Sequence, residues 1–418
     1  MFNKNLFKNR INLINYLILD LILYLFLNLI LYGIINLEIT NLYRLLIWIF
    51  VSYIFDRYHL RSFKFIYVRK YIFKTFIIYL FLSLINYSFG SENLLMSFYF
   101  FSSILIQFLY LQISLRTIKR YKKWLTNDIN LMHTFNTQPF YFRNNKLFFF
   151  ESNLNYDFSE FEGIILDDID LPKNVNKLDK LKIFKSLDWC EIYLESFPLD
   201  VITNDILYKK LKNQNPKNNF FILKRILELV LSILISILLS PIILIFSILV
   251  FTQDGFPVFY SQFRKGKNNA IIKIFKIRSM RKDSELNGPQ WSTFNDSRIT
   301  FIGKFIRKTR IDELPQLWSV ILGKLSLIGP RPERPEIDEI LKKEIDFYDF
   351  RYLVKPGITG WAQVNYPYGA SIGDSKIKQS YDLYYVKNVS IMLDFIIVLK
   401  TIRLILNGRG AIPLEKNN

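Results

Sequence analysis

The densest chemistry in this 418-residue chain lies in "GKFIRKTRIDELPQLWSVILGKLSLIGPRPERPE", residues 303–336. Asp312 and Glu313 are adjacent there, and Pro315 follows three positions after Asp312. Proline is tolerated only in the first turn of a helix. The spacing therefore predicts a helix with Asp312 as N-cap, running through "LPQLWSVIL". Neighbours on a helix point about 100° apart, so the two carboxylates cannot serve one atom in the same way. One can face a reacting phosphorus while the other holds a metal. A capping Asp with an acidic first turn would use the same letters, and the surroundings weigh against that plainer reading. Lys304, Arg307, Lys308 and Arg310 precede the pair, and Gly329-Pro330-Arg331-Pro332 follows it. Guanidinium forks fit phosphate oxygens bidentately, and the flanking prolines restrict the backbone that presents Arg331. "KIFKIRSM" (273–280) sets Lys273, Lys276 and Arg278 within reach of the same anion, with Arg264 shortly upstream, unless these residues simply edge a solvated strand.

Other chemistries are excluded by what is missing. His59 and His133 are the only histidines, so nothing after residue 133 builds a histidine triad or an HExxH zinc site. The single Cys190 rules out an internal disulfide framework and a cysteine metal cluster. No G-x-x-x-x-G-K-[ST] or G-x-G-x-x-G pattern occurs. The net charge of +19 favours anionic partners, and the apolar blocks make lipid headgroups a better match than nucleic acid.

Four apolar segments, at 12–35, 42–56, 71–89 and 94–115, are expected to be transmembrane helices. Lys and Arg cluster before the first, between the second and third, and after the fourth, which puts both ends of the unit in the cytoplasm. A fifth apolar stretch at 226–251 carries Ser240-Pro241 in its middle. It is flanked by Lys224-Arg225 on one side and by Arg264, Lys265 and Lys267 on the other. Uninterrupted, its 26 residues would rise ~39 Å; split at Pro241, the halves rise ~21 and ~15 Å, each short of a ~30 Å hydrocarbon core. Positive charge on both sides favours a re-entrant helix–break–helix, with Ser240 satisfying a carbonyl freed by the proline. A kinked fifth span is the alternative.

Between these blocks, 121–218 shows short strand-like runs ("KLFFF", "GIIL", "KIF", "EIYL") and ends in the linker "KNQNPKNN". "SIMLDFIIVLKTIRLIL" (390–406) reads as an interfacial helix with Asp394, Lys400 and Arg403 inserted. The expected fold is a membrane protein with a four-helix unit over 1–120 and a small cytoplasmic α/β domain over 121–218. An α-rich mixed α/β domain with the re-entrant helix follows over 219–412, and 413–418 forms a tail.

The second half resembles the bacterial sugar transferase family, the polyprenyl-phosphate sugar-1-phosphate transferases. The resemblance rests on Lys224-Arg225, Ser240-Pro241, "VFYSQFRKG", "IFKIRSM", "NDSRIT", "RKTRIDELPQLWSV", "LSLIGPRPERPE", "VKPGITGWAQVNYPYGAS" and "YDLYYVKN", in order. Four preceding spans and an intermediate domain are similar to the long, exopolysaccharide-initiating branch. The resemblance implies transfer of a sugar-1-phosphate from a UDP-sugar to undecaprenyl phosphate, with Mg²⁺, at the cytoplasmic face of the bacterial inner membrane. It carries the nucleophile onto Asp312, the metal-binding carboxylate onto Glu313, and phosphate contacts onto Arg331 and Arg307. The remaining substrate-binding candidates are Lys276, Arg278 and Arg264. A homo-oligomer is compatible with the sequence, and the sugar is not legible. Compact members place an Arg shortly after "WAQVN", where this chain has Tyr366-Pro367-Tyr368-Gly369. The intermediate region is also shorter than the Rossmann-like domain of long members.

Two rival readings use other residues. Asp168-Ile169-Asp170 follows "GIIL" as the DxD motif of a metal-dependent glycosyltransferase would. Asp20, inside the first span, fits a polar pathway residue in a non-catalytic scaffold or flippase component.

Overall fold

The structure, a computed structural model, describes residues 17–23, 25–26, 29, 39–54, 76, 122–138, 145–149, 160–166, 182–202, 218–282, 284, 296–366 and 371–406. The described residues fall into two compact units that divide near Lys123–Trp124.

In the first unit, 17–23 is helical and α1 spans Ile39–Ile54, in the place of the second expected span. The third and fourth expected spans, apart from Phe76, lie outside the described residues. Asp20 is buried and accepts a hydrogen bond from Trp48 Nε1 at 3.3 Å. A carboxylate in an apolar segment needs such a donor, and the bond gives Asp20 a part in helix packing.

After residue 121, β1 (Lys122–Thr126), β2 (Asn145–Phe149), β3 (Gly163–Leu166) and β4 (Lys182–Lys185) form a sheet in the order β2-β1-β3-β4, with β1, β3 and β4 parallel. Helix α2 (Ile129–Thr137) leaves β1 through Asp128, whose side chain caps it by accepting from Leu131 N–H. "EIYL" departs from expectation. It continues helix α3 (Ser186–Trp189) as a π-helical turn over Cys190–Leu194, because Trp189 and Tyr193 both turn onto Trp124. That packing outweighs the strand propensity of an isolated Ile-Tyr-Leu. Asp168 and Asp170, the DxD candidates, lie outside the described residues.

Helix α4 runs from Asn218 to Asp254 and is the one helix among the described residues long and apolar enough to cross a membrane. The expected break at Ser240-Pro241 is not a loss of helix: the segment stays helical through Pro241. Pro241 has no N–H for the Ile237 carbonyl, and Ser240 Oγ donates to that same oxygen at 2.8 Å. The hydroxyl thus repairs locally what the ring removes.

Both arms of α4 meet the same globular layer. Near its start, Lys224 Nζ donates to Asp394 Oδ2 at 2.8 Å, and Arg225 donates to the Val320 and Ile321 carbonyls at 2.6 and 2.8 Å. Near its end, Ile243 and Val250 share a core with Val258, Ile277 and Ile306, against which Ile311 and Leu314 pack. That layer comprises a hairpin of β5 (Phe259–Lys265) and β6 (Ile271–Ile277), and helices α5 (Phe301–Thr309), α6 (Gln316–Ile321) and α7 (Pro335–Glu344). The parallel pair β7 (Ser326–Ile328) and β8 (Gly357–Thr359) follows, with α8 (Trp361–Asn365), α9 (Ile372–Lys387) and α10 (Ile391–Leu406). Two of the charges inserted in α10 turn into the protein: Asp394 is buried on Lys224, and Lys400 Nζ donates to Asn365 Oδ1 at 2.7 Å while lying 4.3 Å from the Trp361 ring centre.

Candidate functional site

Asp312 is not the N-cap of a helix. It sits inside a 3₁₀ turn, Ile311–Glu313, and α6 begins only at Gln316 with Pro315 before it. Arg310 causes the change: its left-handed backbone (φ 61°) ends α5, and its carbonyl takes the Glu313 N–H at 3.2 Å. The turn closes on main-chain bonds, so neither acidic side chain is consumed as a cap, and both point into the protein and are buried.

The two carboxylates then meet different fates. Glu313 Oε1 accepts from Arg331 NH2 at 2.7 Å and from Lys276 Nζ at 3.0 Å, and Arg310 NH1 lies 3.5 Å from Oε2. Asp312 Oδ1 is buried with no hydrogen-bond partner. Burial, and then the neighbouring Glu313, push the Asp312 pKa up to about 6 against the pull of Lys276, Arg310 and Arg307. Burial also raises Glu313, but Arg331, Lys276 and Arg310 outweigh it and hold Glu313 well below the usual carboxylate range. One member of the pair is locked as an anion, and the other is a buried base whose open oxygen has nothing to bind.

Three elements deliver the cations. In the hairpin, Tyr260 pairs with Lys276, so Tyr260, Gln262, Arg264 and Lys276 share one face. Burial depresses the Lys276 pKa, with Glu313 opposing. The loop after β7 brings Arg331, and it lies so close to β8 that a Cβ on Gly357 would stand 2.1 Å from the Gly329 nitrogen. Arg307 and Arg310 come from the last turn and end of α5. Together these elements enclose a cavity of about 440 Å³ that Asp312 and Glu313 line. Among the described residues its wall carries twelve Lys or Arg side chains against four carboxylates, an imbalance suited to a polyanion of diphosphate size.

Of the sequence candidates, Asp312, Glu313, Arg331, Arg307, Lys276, Arg278 and Arg264 all line this cavity. Two of them are largely committed to the frame. Arg278 NH2 donates to the Asp254 and Gly255 carbonyls at 3.0 and 2.7 Å, capping the end of α4. Arg264 donates to Gln262 Oε1 at 2.7 Å and to the Pro332 carbonyl at 3.4 Å. Lys224 and Arg225 stay away from the cavity and tie down the start of α4. Sequence reasoning passed over Arg351, Lys378 and Asp382, which also line it. The only available signal was their placement as polar residues within otherwise aromatic runs, "DFYDFRYL" and "KQSYDLYY". Just after "WAQVN", Tyr366 lines the cavity and its hydroxyl donates to Asp374 Oδ1 at 2.8 Å, Lys378 from α9 also lines it, and positions 367–370 lie outside the described residues.

Among the described residues no three His, Cys, Asp or Glu side chains gather into a metal site. Mg²⁺ is commonly held by one or two carboxylates, with substrate phosphates and water completing the shell. The open Asp312 oxygen beside Glu313 suits that partial donor set.

A sequence model of the family described as bacterial sugar transferase matches residues 219–408. A UDP-N-acetylgalactosamine-undecaprenyl-phosphate N-acetylgalactosaminephosphotransferase of Aeromonas hydrophila is 44% identical over 196 residues, 47% of this chain and 46% of that protein. A UDP-glucose:undecaprenyl-phosphate glucose-1-phosphate transferase of Klebsiella pneumoniae is 35% identical over 216 residues, 49% of this chain and 46% of that protein. A shorter Bacillus subtilis protein, provisionally named an undecaprenyl-phosphate N-acetylgalactosaminyl 1-phosphate transferase, is 43% identical over 126 residues, 30% of this chain and 70% of its own length. The match thus spans about half the length of the first two relatives.

Proposed function

The chain belongs to the bacterial sugar transferase family, and on that premise we propose that it moves a sugar-1-phosphate from a UDP-sugar to undecaprenyl phosphate. In this reading it releases UMP and starts assembly of an exopolysaccharide, capsule or O-antigen. The observation that carries it is the divided acidic pair: a buried, unpartnered Asp312 oxygen beside a Glu313 neutralised by Arg331 and Lys276, in a cation-lined cavity.

An Asp312 oxygen attacks the phosphorus that bears the sugar. The bond from that phosphorus to the bridging oxygen breaks, UMP leaves with the oxygen, and an aspartyl-phosphosugar remains. An oxygen of undecaprenyl phosphate then attacks the same phosphorus and frees the Asp312 carboxylate. Splitting the displacement into two steps means that the two bulky anions never have to meet. Glu313 holds Arg331 and Lys276 at the attacked phosphate, where their charge offsets the repulsion between a carboxylate and a phosphate ester. Mg²⁺, held by Asp312 or Glu313 together with the diphosphate, would supply further neutralisation there.

We read α4 as re-entrant from the cytoplasmic face. Arg225 and Val250 would lie ~38 Å apart on a straight helix, yet both arms pack on residues within 311–321. Positive charge on both flanks agrees. A cysteine inserted after Phe251 is expected to resist labelling from the cell exterior; labelling there would exclude nucleotide donors and end this reading.

The reaction is tested by incubating the full chain in nanodiscs with undecaprenyl phosphate and radiolabelled UDP-N-acetylgalactosamine, UDP-glucose or UDP-galactose. A lipid-linked sugar phosphate with released UMP is expected from at least one donor. Exposure to that donor without lipid should add the phosphosugar mass to the peptide containing Asp312. Turnover that leaves this peptide unmodified would mean direct transfer.

A further inference from the structure

Gly329-Pro330-Arg331-Pro332 brings Arg331 to Glu313, and its two prolines lack the N–H groups that a strand would use for anchoring. Beyond the Gly329 N–H, which donates to the Thr359 oxygen at 2.9 Å, the loop is held from its carbonyls. Gly357 N–H donates to the Pro330 oxygen at 2.9 Å, and Lys265 N–H donates to the Glu333 oxygen at 2.9 Å. Between them, Arg264 reaches the Pro332 oxygen at 3.4 Å and Arg351 NH2 reaches the Arg331 oxygen at 2.8 Å. The shorter of the two side-chain bonds falls on the residue whose guanidinium faces the acidic pair.

We infer that Arg351 is a positioning residue for the transfer reaction: clamped by Asp382, it fixes the backbone from which Arg331 reaches Glu313. The inference rests on the function proposed above. Arg351 NH2 also donates to Asp382 Oδ2 at 2.9 Å, NH1 donates to the Tyr348 hydroxyl, and the guanidinium lies 4.8 Å from the Tyr348 ring centre. Arg351 thereby joins three separate pieces of chain: α9 through Asp382, the 3₁₀ turn Tyr348–Leu353, and the Arg331 loop.

A plain stability role explains the arrangement less well. A buried ion pair seldom improves on apolar packing of the same volume, because both charges must be stripped of water. What this pair adds is direction. It ends on one main-chain oxygen, at the base of the side chain that contacts Glu313. A shift of about 1 Å in such a group costs as much as 10²-fold in rate. The geometry also requires a fork: an ammonium keeps the charge but cannot hold three acceptors in a fixed plane.

Arg351→Lys in the full chain, compared with Arg331→Ala and the double variant, tests the idea with the three UDP-sugars above. Arg351→Lys is expected to lower kcat about 30–100-fold with the donor KM within about threefold. The double variant should be no more than about threefold worse than Arg331→Ala alone, because a support matters only while the supported group is present. Losses that multiply, or wild-type kinetics in Arg351→Lys, overturn the inference. Asp382→Asn is the second variant, should Arg351→Lys not fold; about tenfold in kcat is expected, again without further loss in the Arg331→Ala background. Hydrogen–deuterium exchange over 326–336 reads the loop whether or not any donor turns over. Faster exchange there in Arg351→Lys, with the β5–β6 hairpin unchanged, is expected, and unchanged loop exchange overturns the proposal. Wild-type protein that makes no lipid-linked product from any of the three donors would count against the proposed function, while loop exchange would still decide the role of Arg351.

Discussion

In the sheet domain at 122–202, three buried polar side chains close on nearby backbone. Asp128 caps α2, Thr126 Oγ1 accepts the Asp128 N–H at 3.1 Å, and Ser186 Oγ donates to the Leu166 carbonyl at 3.3 Å. The core beside them is aromatic, with Trp124, Phe184 and Trp189 meeting edge to face. In the layer at 255–406 the buried charges point at one another across long stretches of sequence, and Asp312, which lines the cavity, keeps a buried Oδ1 without a partner. An interior of the first kind holds a shape. The second kind stores unbalanced charge and desolvation, which favours binding a polyanion at the expense of stability.

Asp312→Asn separates the two most strongly. Loss of the proposed nucleophile is expected to reduce kcat by about 10³-fold or more, and the phosphosugar adduct should disappear. Stability should move the other way. The folded Asp312 pKa, about 6, lies above its ordinary value of 3.8, so the folded state holds this proton more tightly than the unfolded state. Its stabilising effect is complete below about pH 4 and is lost as pH rises through about 6. At pH 7.5 the ionised side chain therefore costs on the order of 1–3 kcal/mol, which Asn removes. A higher melting temperature at pH 7.5 and no gain at pH 4 are expected; a lower melting temperature at pH 7.5 would place Asp312 among the structural groups. The same shift predicts that kcat/KM of the wild type falls about tenfold per unit below pH 6, as the attacking carboxylate takes up its proton.

Trp124→Ala probes the other side of the comparison. The ring is fully buried, and its loss should cost about 3–5 kcal/mol of stability. The kcat of the remaining folded protein should stay within about threefold. A loss confined to kcat would show that the sheet domain acts on the chemistry directly. The two regions meet where Trp361 Nε1 donates to the Glu195 carbonyl at 2.9 Å and Phe197 N–H donates to the Ser380 carbonyl at 3.0 Å. Trp361→Phe removes the first of these bonds and keeps most of the ring. About 1 kcal/mol is expected in thermal unfolding, with turnover within about twofold.

What the sequence revealed follows the same division. Short apolar runs located β2, β3 and β4, because a strand's signal is local; the β5–β6 hairpin was foreshadowed only as a strand edge in "KIFKIRSM". Asp312, Glu313 and Arg331 were legible as neighbours of one site because cations crowd the acidic pair and the family resemblance covers the stretch; their spacing alone also fits a capped helix. The N-cap placement of Asp312 failed because a left-handed Arg310, a position usually left to Gly or Asn, ends α5 and restarts the chain in a 3₁₀ turn. "EIYL" failed because its helical turn is fixed by Trp124, far away in the sequence. Asp382 and Arg351 were invisible as a pair: 31 residues separate them, and neither lies in a pattern that announces the other. Spacing reports partners within a turn or a hairpin, and only the fold reports the rest.

The smallest expected effect lies in α4, where a polar group is satisfied locally, as in the sheet domain, yet within an apolar helix. Ser240 Oγ bonds the Ile237 oxygen that Pro241 cannot serve. In lipid no water replaces a lost donor, so Ser240→Ala should cost about 1 kcal/mol in a bilayer-embedded protein. Pro241→Ala restores the missing N–H. In that background Ser240→Ala should then cost almost nothing, because the backbone already fills the acceptor. Thermal unfolding of the four proteins in nanodiscs measures the coupling. Equal costs in both backgrounds would mean that the Ser240 bond does not compensate for the proline, and the residue pair would lose its physical rationale as one unit.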